Sequence, residues 1–449
     1  MYKYIRLIGR NLLCYIFLMV VILVLDIKED PSVCHIGLQL MTSVSAWLLF
    51  LWIIKNNVSR GSLLFGLFIY LVSIIIIWRF FNFAVFNHML GYNPIDAIAY
   101  HSYAEHFVLK KESLFNIIES LRTASKSLDD YGFFIIPTII YSLFGVEFGC
   151  HILSLVNALF IIGSCNFLYK LCEIISIDKR DILTICFLFG TLTYAIYTAA
   201  AGLKENIMMF FIVGAMYYMY KFLNKKSAVA LICTILFSLF LCFFRTAIAA
   251  ILLTTFIISL FLYLSFVRKK LKFWTILMMG FGMATLSVVT ILVADLRGGM
   301  AVNQGMVDSV AQGSSLFFQC FNLAAILVGP FPNFVSDTEK VNYITLWNFG
   351  TLVKMMLSGY FLYGIYFIYK KKMLTYYPIL IFFFLHSAML FVTMFAVHDR
   401  YQLPQIPLVF IVSFLGLSKI GYLQRPMVLM MKYCYPLLMV GLIFMYNMR

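Results

Sequence analysis

A short acidic and aromatic segment, Asn93–Phe107, carries the side chains best suited to chemistry in this sequence. Asp96, His101 and Glu105 lie in it, directly after a long apolar run, Ser62–Trp78. Acidic side chains are costly near hydrocarbon, so acids placed where an apolar run meets a polar stretch predict a functional site. A carboxylate there is suited to take a proton from a hydroxyl group. A neighbouring Arg or Lys would stabilise an anionic leaving group.

Other acids and cations stand at similar points, where one apolar run ends and the next begins. The candidates are Asp129, Asp130, Lys204, Glu205, Arg245 and Arg400. Each has a purely structural alternative. Asp96 follows Asn93-Pro94-Ile95 and suits a helix cap. Lys204 and Glu205 suit a solvated turn pair, and Arg245 suits a side chain that reaches the lipid headgroups. Arg400 next to Asp399 suits an ion pair within a turn.

The composition indicates an all-α, polytopic membrane protein. The 449 residues are 63% hydrophobic and only 12% charged, and the apolar runs are near the length that spans a bilayer as a helix. We predict about 13 spans. They are Leu12–Leu25, Ile36–Ile54, Ser62–Trp78, Phe148–Leu168, Ile182–Ala200, Ile207–Phe222, Ala228–Phe244, Thr246–Val267, Phe273–Ala294, Leu346–Tyr369, Leu374–Val397, Leu403–Leu417 and Leu429–Tyr446. Two shorter, proline-bounded stretches, Phe133–Phe144 and Leu316–Val328, predict juxtamembrane helices on the outer face.

Charge predicts the orientation. With a cytoplasmic N-terminus, the inner segments hold most of the 34 Lys and Arg residues, and nearly all of the 19 acids lie outside. This is the positive-inside pattern, and the net charge of +15 therefore indicates topology rather than nucleic-acid binding. We expect a bacterial cytoplasmic (inner) membrane protein whose first apolar run is a retained anchor. The 10 Cys residues are scattered without a metal-binding spacing.

The candidate residues occur in an order that resembles the membrane glycosyltransferases of the GT-C superfamily. The nearest relatives would be family 39, protein-mannosyltransferase-like and lipid A aminoarabinose transferase-like proteins. The matching features are Asp96-x-x-x-Tyr100 with Ala104, Asp130-Tyr131-Gly132-Phe133, the turn Leu203–Asn206, and Arg400-Tyr401 with Pro404 and Pro407. GT-C proteins often carry two adjacent acids at the first site. Here Ala97 follows Asp96, so the sequence does not support a metal cofactor.

The resemblance implies one transmembrane domain, with a GT-C-like core at residues 62–417. Residues 1–61 would be additional spans, residues 418–449 a C-terminal span, and about 79–147 and 295–345 the large outer loops. It also implies roles. Asp96 would be the general base, and Lys204, Arg245 and Arg400 would bind the donor phosphate. The acceptor or sugar would contact Tyr100, Glu105, Asp129, Asp130, Tyr131 and Glu205.

The expected reaction moves a sugar from a polyprenyl-phosphate- or diphosphate-linked donor to a glycan or lipid acceptor on the periplasmic or exterior face. Two alternatives stay open. One is a polysaccharide polymerase of the O-antigen type, in which Arg would dominate over carboxylate and the segment Val328–Pro332 would contribute. The other is a flippase or permease for lipid-linked glycans, which would place its cations at mid-membrane depth.

Overall fold

The computed structural model describes residues 30–86, 95–124, 131–267, 323–329, 348–392 and 399–447, together with residues 5, 8, 9 and 13. This part of the chain is helical with short connections, and it contains no strand. The helices that concern the site are α1 (Asp30–Asn56), α2 (Arg60–Phe86), α3 (Ile95–Leu109), α4 (Leu114–Ala124), α5 (Tyr131–Phe144), α6 (Val146–Ile174), α7 (Lys179–Gly190), α8 (Thr193–Ala200), α9 (Glu205–Lys225), α10 (Ala228–Cys242), α11 (Thr246–Val267), α12 (Asn348–Lys371), α13 (Tyr377–Val392), α14 (Asp399–Gln402) and α15 (Ile406–Ser418). Beyond them lie Arg425–Leu429 and Tyr435–Asn447.

Eight helices in the described residues are long and apolar enough to cross a membrane. The membrane-protein class and the all-α fold are thereby confirmed, whereas the total of about 13 spans stays a prediction. The predicted span Phe273–Ala294 lies outside the described ranges, and of Leu12–Leu25 only residue 13 is described. Two others, Ile36–Ile54 and Ala228–Phe244, correspond to shorter apolar helices at Leu40–Asn56 and Ala228–Cys242.

The predicted span Ile182–Ala200 is formed by two helices that together are long and apolar enough to cross a membrane. It consists of α7 and α8, which meet at an angle of 41°. Gly190 is the last residue of α7 and is tightly packed, since an added Cβ would lie 3.1 Å from both the Cys165 sulfur and a Leu67 methyl group. Thr191 then turns its hydroxyl back to the carbonyl of Phe187, 2.8 Å away. Every residue across the break is buried. The break therefore has no solvent-exposed polar connection that a hydropathy pattern could detect.

The core of the bundle brings the ends of distant helices together. Helix α12 packs along α15, and α9 packs between α6 and α10. Glycines allow the first pair to approach closely, since a Cβ on Gly364 or Gly416 would overlap the backbone of the facing helix. Small residues at helix crossings are typical of membrane proteins, because packing rather than hydrophobic burial holds the helices together. This contact fixes the position of α15 and of the residues that precede it.

The short helix predicted at Phe133–Phe144 is present as α5, and its position beside the membrane stays a prediction. It packs on α3 and α6, and its residues Phe133, Phe134 and Tyr141 face these helices. Of the second predicted stretch, Leu316–Val328, only the end from residue 323 is described, and it is helical. Helices α3 and α5 together cover the bundle near the starts of α9 and α14, where the candidate residues lie.

Candidate functional site

Three stretches of chain that are remote in sequence meet at one place in the fold. Glu205 is the first residue of α9, Arg400 lies in α14 just before α15, and Asp96 lies in the first turn of α3. Arg245 immediately precedes α11. The beginnings of these helices thus assemble a mixed-charge cluster, which we call the Arg400 cluster: Asp96, Glu205, Arg245, Arg400 and the tyrosines around them.

Arg400 joins the two carboxylates. Its Nε donates to Glu205 Oε1, and its Nη1 donates to Asp96 Oδ2. The three side chains differ in exposure: 4% for Glu205, 25% for Arg400 and 46% for Asp96. Glu205 is therefore the buried anchor of the cluster, and Asp96 is the carboxylate that a ligand can reach.

The turn before α9 orients Glu205. Lys204 is buried and its ammonium donates to the carbonyl of Phe244 at 3.3 Å. Asn206, also buried, donates to the carbonyl of Ala195 at 3.0 Å. These two bonds tie the turn to α8 and to the end of α10. The Oε2 atom of Glu205 has no hydrogen-bond partner among the described residues, so one carboxylate oxygen remains as an acceptor.

Tyrosines form one wall of the Arg400 cluster. Tyr100, one turn after Asp96, is buried and packs edge-on against Phe133 and Phe134, with ring centroids 4.8 and 5.1 Å away. Burial raises the pKa of its phenol, and the negative charges of Glu205 and Asp96 add to this rise. Helix α3 has 15 residues and is not among the helices long enough to span a membrane. Because its pKa is raised, the Tyr100 phenol stays protonated at physiological pH and offers a neutral hydroxyl.

Arg245 adds a second cation to the same neighbourhood. Its guanidinium carbon lies 5.6 Å from the centroid of the Tyr401 ring, within cation–π distance. Its charge also acts on Tyr100, as does that of Arg400. Of the three cations predicted to bind phosphate, two thus flank the aromatic wall. The third, Lys204, supports the turn through Phe244.

The remaining predicted acceptor residues have different surroundings. Tyr131 is buried in a small apolar cluster with Phe107, Ile117 and Leu121. Glu105, half-buried on α3, acts electrostatically on Tyr141 and Cys150 rather than on Arg400. Asp129 and Asp130 lie outside the described residues. The roles predicted for these four residues stay predictions.

A second polar cluster, centred on Arg79, was not predicted. Arg79 Nη1 donates to Ser154 Oγ at 2.5 Å and to the carbonyl of Ala200 at 3.1 Å. Next to it, His101, Tyr141 and Cys150 form a triangle. The Tyr141 hydroxyl lies 3.0 Å from His101 Nδ1 and 3.2 Å from the Cys150 sulfur. A signal was present in the sequence, because Arg79 directly follows the apolar run Ser62–Trp78.

A third group of buried polar side chains runs from α12 to α13. Lys354, fully buried, donates to Gln402 Oε1 and to the carbonyl of Ile326 at 3.5 Å. Gln402 also donates to the carbonyl of Ala325 at 2.8 Å, and His386 lies 3.4 Å from Gln405. Lys354 and Gln402 thereby hold segment 323–329 in place by hydrogen bonds. Gln402 is two residues after Arg400 in the chain.

Within the described ranges, no group of three or more His, Cys, Asp and Glu side chains is arranged to hold a metal ion. No protein-family model matches this chain, and no curated protein matches it at a significant level. The function must therefore be argued from the chemistry of the cluster: one accessible carboxylate, one buried carboxylate, two guanidinium groups and neutral phenols at the ends of membrane helices.

Proposed function

We propose that this chain is a membrane glycosyltransferase of the GT-C type. It would move a sugar from a polyprenyl-phosphate-linked donor to an acceptor on the extracytoplasmic side. The observation that carries the proposal is the double ion pair of Arg400, which joins Asp96 and Glu205 from two distant parts of the chain. Such a transfer requires a base and a phosphate-stabilising cation side by side.

Asp96 is the proposed general base. It takes the proton of the acceptor hydroxyl while the acceptor oxygen forms a bond to the anomeric carbon. The bond from that carbon to the phosphate oxygen breaks, and the phosphate leaves with the electron pair, stabilised by Arg400 and Arg245. The Arg400–Asp96 pair suits this role because an exposed ion pair contributes only about 0.5 kcal/mol. Substrate can replace it at little cost, whereas the pair with buried Glu205 keeps Arg400 in place.

The charge distribution supports the extracytoplasmic side. The helices that start at the Arg400 cluster carry cations at their opposite ends, such as Lys225 on α9 and Lys419 just after α15. Helix α12, which packs along α15, ends on Lys370 and Lys371. Lys-rich ends favour the cytoplasm, so the cluster at the other ends would face the exterior. Polyprenyl-phosphate sugars are the donors expected there.

The test is a lipid-linked glycan profile, measured by mass spectrometry, in cells that lack this protein and carry a plasmid copy. The wild-type copy should restore the profile, and Asp96→Asn should not. Glu119→Gln, which alters an exposed acid on neighbouring α4, is the matched control and should restore it. A profile that is identical with and without the protein would refute the proposal.

One observation favours a lipid-linked-glycan polymerase as the second candidate. Segment 323–329 is bound by Lys354 and Gln402 next to Arg400, and it leads into the Val328–Pro332 stretch that suits such an enzyme. A polymerase would depend on the arginines more than on the carboxylate. Asp96→Asn with full polymer length, combined with short chains from Arg245→Gln, would favour this candidate over the transferase.

A further inference from the structure

Arg79 is a buried cation whose hydrogen-bonding capacity is only partly used. The residue is 4% exposed. Nη1 is bonded to Ser154 and to Ala200, but Nε and Nη2 have no hydrogen-bond partner among the described residues. No ion pair joins Arg79 to a carboxylate among the described residues. A buried guanidinium without a counter-charge is strongly destabilising unless a ligand supplies the anion.

The side chains around Arg79 are suited to an anion. Ser154, Tyr141 and Cys150 are neutral and carry O–H or S–H groups, and the His101 ring adds an N–H donor in one tautomer. Burial raises the pKa of Tyr141, which keeps its hydroxyl protonated and able to donate. The Glu105 carboxylate acts electrostatically on Tyr141 and Cys150 from a half-buried position.

The Arg79 cluster adjoins the Arg400 cluster. Helix α3 contributes to both, since Asp96 and Tyr100 face Arg400 whereas His101 contacts Tyr141. Helix α8 also contributes to both: Ala200 accepts from Arg79, and Tyr197 is within electrostatic reach of Glu205 and Arg400. A ligand with an anionic group and a sugar would therefore meet both clusters.

We propose that the Arg79 cluster is a separate phosphate-binding site, in which Nε and Nη2 of Arg79 and the Tyr141 hydroxyl bind the phosphate of a polyprenyl carrier. Only the identity of the carrier rests on the proposed sugar transfer; the anion site itself rests on the two guanidinium nitrogens, Nε and Nη2, that have no hydrogen-bond partner among the described residues. The site would hold either the donor before transfer or the carrier phosphate after it.

The experiment measures binding to the full chain in nanodiscs, without sugar or acceptor. The probes are polyprenyl monophosphate, inorganic phosphate and polyprenol, which lacks the phosphate. We expect Arg79→Gln to weaken phosphate-lipid binding about tenfold or more and Arg79→Lys to weaken it less, because charge-assisted bonds are lost in the first and partly kept in the second. Tyr141→Phe should weaken it as well, although Tyr141 takes no part in the ion pairs of Arg400. Arg60→Gln, at the exposed start of the same helix, is the matched control.

Competition by inorganic phosphate would assign the site to the phosphate group alone, and binding of the lipid probe only would assign it to the carrier; both results support the site. Unchanged lipid binding in a folded Arg79→Gln protein would overturn it and leave Arg79 as a cap for the Ala200 carbonyl. If Arg79→Gln does not fold, unchanged binding in Tyr141→Phe overturns it. Asp96→Asn separates this inference from the proposed function, since it should abolish transfer without weakening phosphate binding.

Discussion

Arg400 and Asp96 are 304 residues apart in the chain and form an ion pair. The same guanidinium also binds Glu205, so that one side chain connects the start of α3, the turn before α9 and the short helix α14. The two pairs are not equivalent, because Glu205 is buried and Asp96 is half exposed. This difference separates a structural contribution from a chemical one and leads to two opposite mutational expectations.

Replacing Arg400 by Gln should destabilise the fold. Glu205 would then be a buried carboxylate without a counter-charge, which costs about 3 kcal/mol in the free energy of unfolding. The double variant Arg400→Gln/Glu205→Gln should recover most of this loss, because it removes both charges together. Chemical denaturation of the purified protein in detergent measures both values. Equal stability of the single and double variants would contradict the buried ion pair.

Replacing Asp96 by Asn should have the opposite profile. An exposed ion pair contributes at most about 1 kcal/mol, so the unfolding midpoint should stay close to that of the wild type. Activity should fall by about 100-fold or more, the range expected for loss of a general base. The measurements are the denaturation midpoint and the restored glycan profile of the same variant. A stable, fully active Asp96→Asn protein would exclude Asp96 as the base.

The sequence was sufficient to predict the helical membrane class and the meeting of Asp96, Glu205 and Arg400, because charge placed them at the same ends of their spans. It was not sufficient to predict which partner each side chain would choose. Lys204 donates to the carbonyl of Phe244, a partner that depends on how the turn before α9 packs against the end of α10. That contact is set by tertiary packing, which no local pattern encodes.

The break between α7 and α8 and the Arg79 cluster escaped prediction for a related reason. Both depend on which surfaces face each other: Gly190 against Leu67, and Arg79 against Ser154. A charged residue after an apolar run has the same sequence context whether it reaches the headgroups or is buried by a neighbouring helix. Arg79 is buried because α6 and α8 pack against α2 at this level.

Lys354 should be essential for the position of segment 323–329. Lys354→Met keeps the length of the side chain but removes the donor to Gln402 and to the carbonyl of Ile326. Two buried acceptors then lose a partner, at a cost of about 1–3 kcal/mol each. We expect a lower unfolding midpoint and faster proteolysis near residue 329. Lys372→Met, which changes an exposed lysine after the same helix, is the control and should match the wild type in both assays.

The close packing of α12 and α15 should control the geometry of the Arg400 cluster. In Gly416→Ala the new methyl group would overlap the carbonyl oxygen of Tyr360 on α12. The helices must separate to accommodate it, which costs about 1–3 kcal/mol and shifts the residues that precede α15, Arg400 among them. Stability and activity should therefore fall together.

Gly441→Ala is the matched control, because nothing lies within 4 Å of its added Cβ and alanine favours a helix by about 0.5–1 kcal/mol over glycine. It should be as active as the wild type and no less stable. A Gly416→Ala protein with wild-type stability and activity would show that the α12–α15 contact does not hold Arg400 in place.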